Sequence, residues 1–270
     1  MINTQTIDVL VPVFNGEKYI EKCLDSLLSQ TYKNIRIVIA DDGSTDNTAT
    51  ILSKYSSKNK NIEVYQKQNE KSISKTRNFL LSKIKSDYFT FFDSDDYAES
   101  TYIEELFNLI TSYNADISIC GKCRHNENKN VNLEKFNKKQ NSVLIMNKQE
   151  CIAEMLSSNL FNGTVYAKLF KTKTLKDANF DPNIHYGEDL DFCFKIMQNC
   201  NSFVLTQKKL YHYIIRKGSI VTSKFKISKL TCIDCYDNII KKVTDNNELF
   251  VAAKSMQGLW RFWCGYNAWI

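Results

Sequence analysis

The sequence predicts an α/β protein, a mainly parallel sheet flanked by helices with a mostly helical C-terminal extension. Two observations predict the sheet. In the first 120 residues, apolar runs of strand length alternate with segments of helical spacing, and those runs are almost continuously apolar, as in strands buried on both faces. A third observation, helical spacing from Lys229 onward, predicts the extension. Such sheets bind ligands at the carboxyl ends of their strands.

The composition is that of a globular protein and excludes several other classes. Of the 270 residues, 43% are hydrophobic and 24% are charged, which is enough for a substantial core. Eight glycines and two prolines exclude collagen-like and Pro/Gly-rich disordered chains. No run of 18 apolar residues predicts a membrane-spanning helix, and Met1–Val13 lacks the basic segment of a secretory signal. Nine irregularly spaced cysteines favour a reducing, cytoplasmic location.

Strands and helices are predicted to alternate through the first half. The predicted strands are the apolar runs Ile7–Val13, Ile35–Ala40, Ile62–Tyr65, Tyr88–Phe92 and Ile117–Cys120. Apolar side chains at helical spacing predict helices around residues 19–28, 51–55, 79–84 and 102–110. Ser44, Thr45 and Asp46 precede the second helix and offer the side chains that cap helix N-termini.

The predicted structure is less regular after residue 120. Gly121–Gln140 is polar, and we interpret it as a loop that exposes His125 to solvent. A helix is predicted around residues 152–156, a strand at Val165–Phe170 and a helix at Asp189–Met197. Phe203–Leu205 and Leu210–Ile215 are predicted to form two short strands.

Two acidic clusters directly follow predicted strands. Asp41-Asp42-Gly43-Ser44-Thr45-Asp46 follows the second strand, and Asp93-Ser94-Asp95-Asp96 follows the fourth. Carboxylates crowded at the end of a buried strand repel one another, so they need caps or cations. The first cluster is equally compatible with a plain turn and helix cap. The second offers three hard oxygen ligands suited to Mn²⁺ or Mg²⁺, with an acidic turn as the alternative.

Five segments, taken together, resemble family 2 glycosyltransferases, which are inverting enzymes of the GT-A fold. In order, they are Val11-Pro12-Val13-Phe14-Asn15, Asp41-Asp42-Gly43-Ser44-Thr45-Asp46, Arg77-Asn78, Asp93-Ser94-Asp95-Asp96 and Gly187-Glu188-Asp189. The resemblance covers roughly residues 5–220. It implies transfer of a sugar from a nucleotide-diphosphate donor to an acceptor hydroxyl, with inversion of the anomeric centre. UDP is the nucleotide expected from the habit of the family.

The resemblance places the nucleotide on residues of the first half. Pro12, Phe14 and Asn15 match the segment that lines the base, with Phe14 placed to stack on it. Asp42 matches the carboxylate that hydrogen-bonds the base. Arg77 matches a basic residue near the nucleotide.

The same resemblance assigns the metal and the catalytic base. Asp93 and Asp95 match the outer positions of the DxD motif, Asp93 near the ribose and Asp95 as a ligand of Mn²⁺ or Mg²⁺, with Asp93 as a second ligand. Ser94 lies between them and is placed with the donor-binding residues. Asp189 matches the catalytic base of the ED motif, and Glu188 beside it is expected to contact sugar or acceptor. Without the resemblance, the ED segment is better explained as a helix start rich in acids, which the helix dipole favours.

The second half supplies further candidates. Residues 211–220 are similar to a late family segment that approaches the donor diphosphate, which makes Arg216 and Lys217 candidates for clamping its phosphates. The guanidinium fork of Arg216 matches phosphate oxygens. His212 is a candidate extra metal ligand, with a packed, hydrogen-bonded histidine as the alternative, and His185 is a candidate contact to acceptor or sugar. One departure from the family concerns residues 71–76, where relatives usually carry glycine and this chain has none.

The charge and the tail bear on partners. The net charge is +6, and residues 201–270 hold eleven Lys/Arg against four Asp/Glu, which favours a phosphate-bearing ligand or an anionic surface. No nucleic-acid module accompanies this charge, so a nucleic-acid partner is not expected. All three tryptophans, Trp260, Trp263 and Trp269, lie within the last eleven residues. The helical face on which they lie has three alternative roles: packing on the domain, self-association, or peripheral contact with the inner face of a membrane.

The domain boundaries follow the same divisions. We expect a glycosyltransferase domain over residues 1–220, with a nucleotide-sugar-binding half (1–120) and an acceptor-side half (121–220), and an extension over 221–270. The expected acceptor is a glycan, a glycoprotein or a lipid-linked sugar. The alternative function is a non-catalytic nucleotide-sugar-binding scaffold of the same fold. A dinucleotide-dependent oxidoreductase is disfavoured because no G-x-G-x-x-G follows the first strand.

Overall fold

The computed structural model of the chain describes residues 5–126, 142–157, 160–216 and 225–268, with side chains to residue 262. Within them, the strands are β1 Ile7–Val13, β2 Ile35–Asp41, β3 Ile62–Gln66, β4 Tyr88–Phe91, β5 Tyr97–Ala98, β6 Ile117–Asn126, β7 Val143–Asn147, β8 Lys168–Lys171 and β9 Ser202–Ile215. The helices are α1 Ile20–Leu28, α2 Thr48–Lys58, α3 Ile73–Leu81, α4 Tyr102–Ser112, α5 Lys148–Ser157, α6 Glu188–Gln198, α7 Thr231–Lys242 and α8 Asn247–Ala268.

The first half forms the predicted parallel sheet. Strands lie in the order β3-β2-β1-β4, and every neighbouring pair among them is parallel. All seven residues of β1 are buried, because helices cover both faces of the sheet. This explains why the sequence of β1 is apolar except for Asp8, which pairs with Arg36, and does not alternate. The mixed α/β architecture predicted from the sequence is therefore confirmed, with its helical C-terminal part.

The second half extends the same sheet with both antiparallel and parallel pairs. β8 lies antiparallel between β4 and β6, and β9 runs parallel to β6 along ten paired positions. The prediction of two short strands within residues 203–215 was wrong: β9 is one strand, and β6 pairs with it on both sides of the register shifts at Gly121. The predicted strand Val165–Phe170 begins later, at Lys168.

The interpretation of Gly121–Gln140 as a loop was wrong in its first part. β6 continues to Asn126, because its polar end pairs with β9 from Lys209 to Ile215. His125 is therefore buried and not exposed to solvent. Residues 127–140 of the predicted loop lie outside the described residues.

The core has two parts, one on each face of the sheet. One cluster joins α1 and α4 to the sheet through residues such as Leu24, Leu27 and Phe107. The other contains α6 together with residues of α7 and α8, among them Cys235, Ile239 and Ala253. The C-terminal helices are thus built into the main core. None of the helices in the described residues is long and apolar enough to cross a membrane.

The turn after β2 makes a specific demand on Gly43, whose φ is +75°. A methyl group there would lie 2.8 Å from the backbone nitrogen of Asn69, and left-handed backbone is unfavourable for other residues. We expect Gly43→Ala to lower the free energy of unfolding by at least about 1–2 kcal/mol, measured by urea denaturation. Gly258→Ala is the matched control: it lies within α8 with open space around it and should stabilise the protein by about 0.5–1 kcal/mol. Equal effects of the two changes would contradict this account.

Candidate active site

The predicted donor-binding residues meet at one edge of the sheet, because β1, β2 and β4 are parallel neighbours. The backbone N–H of Asp42 donates to the carbonyl of Val13 over 2.9 Å, and that of Phe92 donates to Leu10 over 2.9 Å. The loop after β1, the turn after β2 and the acidic segment after β4 therefore share the carboxyl edge of the sheet. This is the place where open α/β sheets bind ligands.

The loop after β1 presents an aromatic ring to solvent. Phe14 is 49% exposed, while Pro12 before it is buried within β1. Asn15 has a φ of +50°, and its side-chain oxygen accepts from the N–H of Thr45 over 2.8 Å. The amide of Asn15 therefore ties this loop to the turn after β2 and holds an exposed ring beside it.

The two aspartates at the end of β2 have different environments. Asp41 accepts from the backbone N–H of Ser44 over 3.0 Å and from its hydroxyl over 2.5 Å, so it caps the turn. Asp42 is buried, and its Oδ1 has no hydrogen-bond partner. The closest described cation is the Nζ of Lys67, 3.8 Å away. An unsatisfied buried carboxylate oxygen is costly, and a ligand that donates a hydrogen bond would satisfy it.

The three carboxylates after β4 also divide by environment. Asp96 is buried and accepts from the Tyr211 hydroxyl and from the N–H of Ile214, each over 2.8 Å. Its contacts are those of a structural residue that fixes the segment against β9. Asp95 forms an ion pair with the Nε of Arg216. Asp93 lies 3.4 Å from the Nη2 of Arg77, and Ser94 stands between the two carboxylates of the DxD pattern.

Arg77 joins the two acidic motifs that lie about a hundred residues apart in sequence. Its Nη1 donates to Glu188 over 3.1 Å and to Asp189 over 2.5 Å, while its Nη2 faces Asp93. The arginine is only 5% exposed, and its Cζ lies 5.4 Å from the centroid of the Phe180 ring. One buried guanidinium therefore places the DxD and ED carboxylates around a single site.

Burial changes the ionisation of two of these carboxylates. The pKa of Asp189 is raised to about 6 by desolvation, opposed by the charge of Arg77 and reinforced by that of Glu188. Desolvation likewise raises the pKa of Asp93 to about 6, against the lowering effect of Arg77. A carboxylate with such a pKa accepts a proton more readily than an exposed one.

Two groups near the site escaped the sequence-based predictions. Tyr211 links the acidic segment to β9, because its hydroxyl contacts both Asp96 and the N–H of Asp93. Lys122 donates to Asn162 over 2.7 Å and to the Tyr166 hydroxyl over 3.2 Å. Burial, with Lys168 and Arg124 nearby, lowers the pKa of Lys122 to about 7. The lysine was missed because it lies in the segment interpreted as a loop.

His212 lies in a buried network behind the acidic segment. Its Nε2 is 2.8 Å from Glu99, its Nδ1 is 3.2 Å from the Nε2 of His125, and its ring stacks on Tyr97. Both ring nitrogens are engaged, so ligation of a metal by His212 would require one of these hydrogen bonds to break. The arrangement is that of the packed histidine named as the alternative.

The residues present fit a divalent cation held partly by its substrate. Within the ranges that the structure describes, no three His, Cys, Asp or Glu side chains form a ready-made cation site. Asp93 and Asp95 nevertheless offer two accessible carboxylates, 22% and 21% exposed. Mg²⁺ and ions like it take one or two carboxylates and complete their shell with water and phosphate oxygens.

The segment before Arg77 has the backbone that glycine would favour although it contains no glycine. Lys71 has a φ of +54°, and its N–H donates to the side chain of Asn69 over 2.7 Å. Ser72 then caps α3, accepting from the N–H of Lys75 over 3.4 Å. The side chain of Asn69 thus provides a hydrogen-bond acceptor for the left-handed residue.

Residues 8–171 match the family model described as glycosyl transferase family 2. Glycosyltransferase GlyA of Streptococcus pneumoniae serotype 4 is 35% identical over 226 residues, which cover 82% of this chain and 32% of GlyA. The chain thus spans about a third of the length of that relative.

Two crystal structures share the fold. The structure of S. aureus TarS 1–349 in complex with UDP-GlcNAc aligns with a TM-score of 0.74 at 23% identity, over 94% of this chain and 71% of that one. The mannosyltransferase PcManGT from Pyrobaculum calidifontis, in complex with GDP-Man and Mn²⁺, aligns with a TM-score of 0.63 at 13% identity, over 93% and 73%.

Proposed function

The chain belongs to glycosyl transferase family 2, and from that premise we propose that it transfers a sugar from a nucleotide-diphosphate donor to an acceptor hydroxyl with inversion. One observation carries the proposal. Arg77 contacts Asp93 on one side and Glu188 and Asp189 on the other. Donor-binding and proton-accepting carboxylates therefore surround the same point, as a single displacement requires.

The donor is proposed to lie along the carboxyl edge of the sheet. The nucleobase of the donor stacks on Phe14, above Pro12 and Asn15, and donates a hydrogen bond to the unsatisfied Oδ1 of Asp42. Arg77, Asp93 and Ser94 lie on the path from base to sugar. The TarS complex with UDP-GlcNAc, which shares the fold, supports a nucleotide-sugar donor, and we propose UDP.

Asp95, with Asp93, is proposed to hold Mn²⁺ or Mg²⁺ beside the donor diphosphate. Such an ion, when bound, supplies positive charge that stabilises the departing diphosphate. Arg216, which is proposed to bind the donor phosphates, forms an ion pair with Asp95. Its guanidinium therefore lies next to the proposed metal ligand. The guanidinium can bind two phosphate oxygens at once.

Asp189 is proposed as the general base. Its carboxylate takes the proton from the acceptor hydroxyl as the oxygen attacks the anomeric carbon. The new C–O bond forms while the bond to the diphosphate breaks, and the nucleoside diphosphate leaves with the bonding electrons. Glu188 raises the proton affinity of Asp189 and is placed to contact sugar or acceptor. Arg77 acts as a positioning residue that fixes the base.

A thermal-shift panel of nucleotide-sugars, each with and without Mn²⁺, tests donor and metal together. We expect one donor to raise the Tm only when Mn²⁺ is present, with about 2.7 kcal/mol of stabilisation at a hundredfold excess over Kd. Asp95→Asn should abolish the Mn²⁺-dependent part. Glu150→Gln, in α5 away from the sheet edge, should retain the full shift. A panel in which no nucleotide-sugar shifts the Tm under either condition would reject the proposed donor class.

The domain division at residue 220 and the role of the tail are also proposals. We propose that the extension over 221–270 completes the acceptor side, since α7 and α8 pack into the core beside α6. Along α8, Leu259 and Phe262 are 62% and 75% exposed, with Arg261 between them. This face supports contact with a second copy or with an anionic membrane surface. The side chains of Trp263 and Trp269 lie outside the described residues.

A further inference from the structure

An open cavity of about 410 Å³ lies at the loop that leads into the ED motif. Three segments form it: the start of α3, the loop before α6, and the segment that leads into α7. Its lining residues are Lys71, Ser72, Ile73, Ser74, Ile184, His185, Tyr186, Lys226, Ser228 and Lys229. We call it the lysine pocket.

The lysine pocket is lined by segments that neighbour Arg77 and the proposed base in sequence. Ser74 precedes Arg77 by three residues on α3, so the two lie on one face of that helix. Tyr186 is two residues before Glu188 in the loop that begins α6. None of the residues proposed to bind the donor lines the pocket. The pocket therefore lies on segments that lead to Arg77 and Asp189, and it is separate from the residues proposed to bind the donor.

Two exposed lysines give the described lining positive charge. Lys71 and Lys226 contribute ammonium groups, and no Asp or Glu is among the described lining residues. The nearby Glu70 is engaged elsewhere, 3.0 Å from the Nζ of Lys67 and 3.6 Å from that of Lys75. A concave site with cations of one sign concentrates anionic ligands. The basic excess of residues 201–270 is thus partly gathered here.

The remaining lining suits a sugar or polyol next to that anion. Ser72 and Ser228 supply hydroxyl groups, and Ile184 and the ring of Tyr186 supply an apolar wall. Aromatic and apolar surface with a few polar groups is the usual make-up of small-molecule sites.

The C-terminal helices hold this wall in place. The backbone N–H groups of His185 and Tyr186 donate to the Thr231 hydroxyl over 3.1 and 3.0 Å. The Tyr186 ring meets Trp260 of α8 edge-on, with centroids 5.2 Å apart. The Nζ of buried Lys229 lies 5.7 Å from the same ring. The pocket is therefore preorganised by contacts that a loop alone would not make.

We propose that the lysine pocket binds a phosphate group of the acceptor, so that the acceptor class is a sugar or polyol that carries a phosphodiester or diphosphate. This inference rests on the proposed function and names its acceptor chemistry. The donor diphosphate is not the ligand, because its proposed partners Asp95 and Arg216 lie outside the lining.

Binding is tested with a matched pair of probes, methyl N-acetylglucosaminide and N-acetylglucosamine 1-phosphate, titrated by ligand-observed NMR. Saturating UDP and Mn²⁺ keep the donor site filled. The phosphorylated probe should bind about tenfold more tightly, the gain of one charge-assisted hydrogen bond. Two further probes separate the sources of phosphate: a glycerol phosphodiester of the sugar, and the sugar on a short prenyl diphosphate. Tighter binding of either one supports the proposal.

The variant Lys71→Gln/Lys226→Gln should remove this preference and leave binding of the neutral probe unchanged. Both side chains are exposed, so the Tm should stay within error of the wild type. Lys75→Gln is the matched control, an exposed lysine of α3 outside the lining, and it should keep the preference.

Equal binding of the two probes by the wild type, or a preference that survives in the double variant, would overturn the proposal. A preference that is present without UDP and Mn²⁺ but is lost when both are saturating would also overturn it, because the lysines would then belong to the donor site. UDP binding itself is checked by the thermal shift. If the protein fails to bind UDP but still prefers the phosphorylated probe, the proposed donor is wrong and the phosphate pocket is supported.

Discussion

Asp189→Asn is expected to lower kcat by about 10²–10⁴-fold, the usual contribution of a positioned general base, with little change in donor affinity. Asparagine keeps the size of the side chain and an oxygen that can accept from Arg77, now 2.5 Å from Asp189. It cannot take a proton from the acceptor. The measurement is sugar transfer under saturating donor, together with the Kd of the nucleotide-sugar by calorimetry.

Asp191→Asn is the matched control, because Asp191 lies in the same first turn of α6 but pairs with Lys195 over 2.5 Å rather than with Arg77. Its kcat should remain within a few-fold of the wild type. Turnover of Asp189→Asn at the rate of this control would show that another group accepts the proton.

The pH dependence gives the same assignment a second test. Since the pKa of Asp189 is raised to about 6, its carboxylate is protonated and inactive as a base below that pH. We expect kcat/KM of the wild type to rise through pH 6 and level off above it, because kcat/KM reports the ionisation of the free enzyme. The rise should be smaller in Asp189→Asn, since of these two carboxylates only Asp93, whose pKa is also raised to about 6, still titrates there.

Arg77→Met should destabilise the protein strongly. The change leaves Asp93, Glu188 and Asp189 facing one another with no cation between them, and removal of one partner from a buried ion pair costs about 3–5 kcal/mol. Methionine retains much of the buried side-chain volume, so the loss reports mainly on charge. Urea denaturation at pH 7.5 measures it.

The size of this loss should depend on pH. The pKa values of Asp93 and Asp189 are raised to about 6, so at pH 5 both carboxylates are largely neutral and repel each other less. The difference between variant and wild type should therefore shrink on acidification. Arg124→Met, an exposed arginine 5.4 Å from the Tyr213 ring, serves as the control and should cost well under about 1 kcal/mol. A loss in Arg77→Met that is small, or constant between pH 5 and 7.5, would contradict the proposed role of this arginine.

Local pattern was sufficient for the first half of the fold. The strands from β1 to β4 are mostly apolar and are followed by turn or acidic residues, so their bounds differ from the predicted ones by at most a residue. The parallel direction of these strands also follows from the helices between them, since a crossover helix returns the chain to the edge at which the previous strand began. The meeting of Phe14, Asp42 and Asp93 at that edge follows from this topology.

Local pattern failed where strand pairing came from distant residues. The polar end of β6 and the middle of β9 are strands because each supplies the other's backbone partners. No apolar periodicity within Gly121–Asn126 predicts this strand. The pairing of the segment with β9 also buries His125. A backbone that is satisfied by a remote segment can carry almost any side chains.

The sequence by itself determined the family, the α/β class and the positions of the acidic motifs, because these depend on residue type and short-range spacing. Only the tertiary structure decided which acids are structural and which are available. Asp41 and Asp96 accept hydrogen bonds from hydroxyl and backbone N–H groups. Asp93 and Asp189 instead both pair with the guanidinium of Arg77. Neighbouring carboxylates look alike along the chain. Their chemistry differs because charge, burial and hydrogen-bond donors arrive from elements far away in sequence.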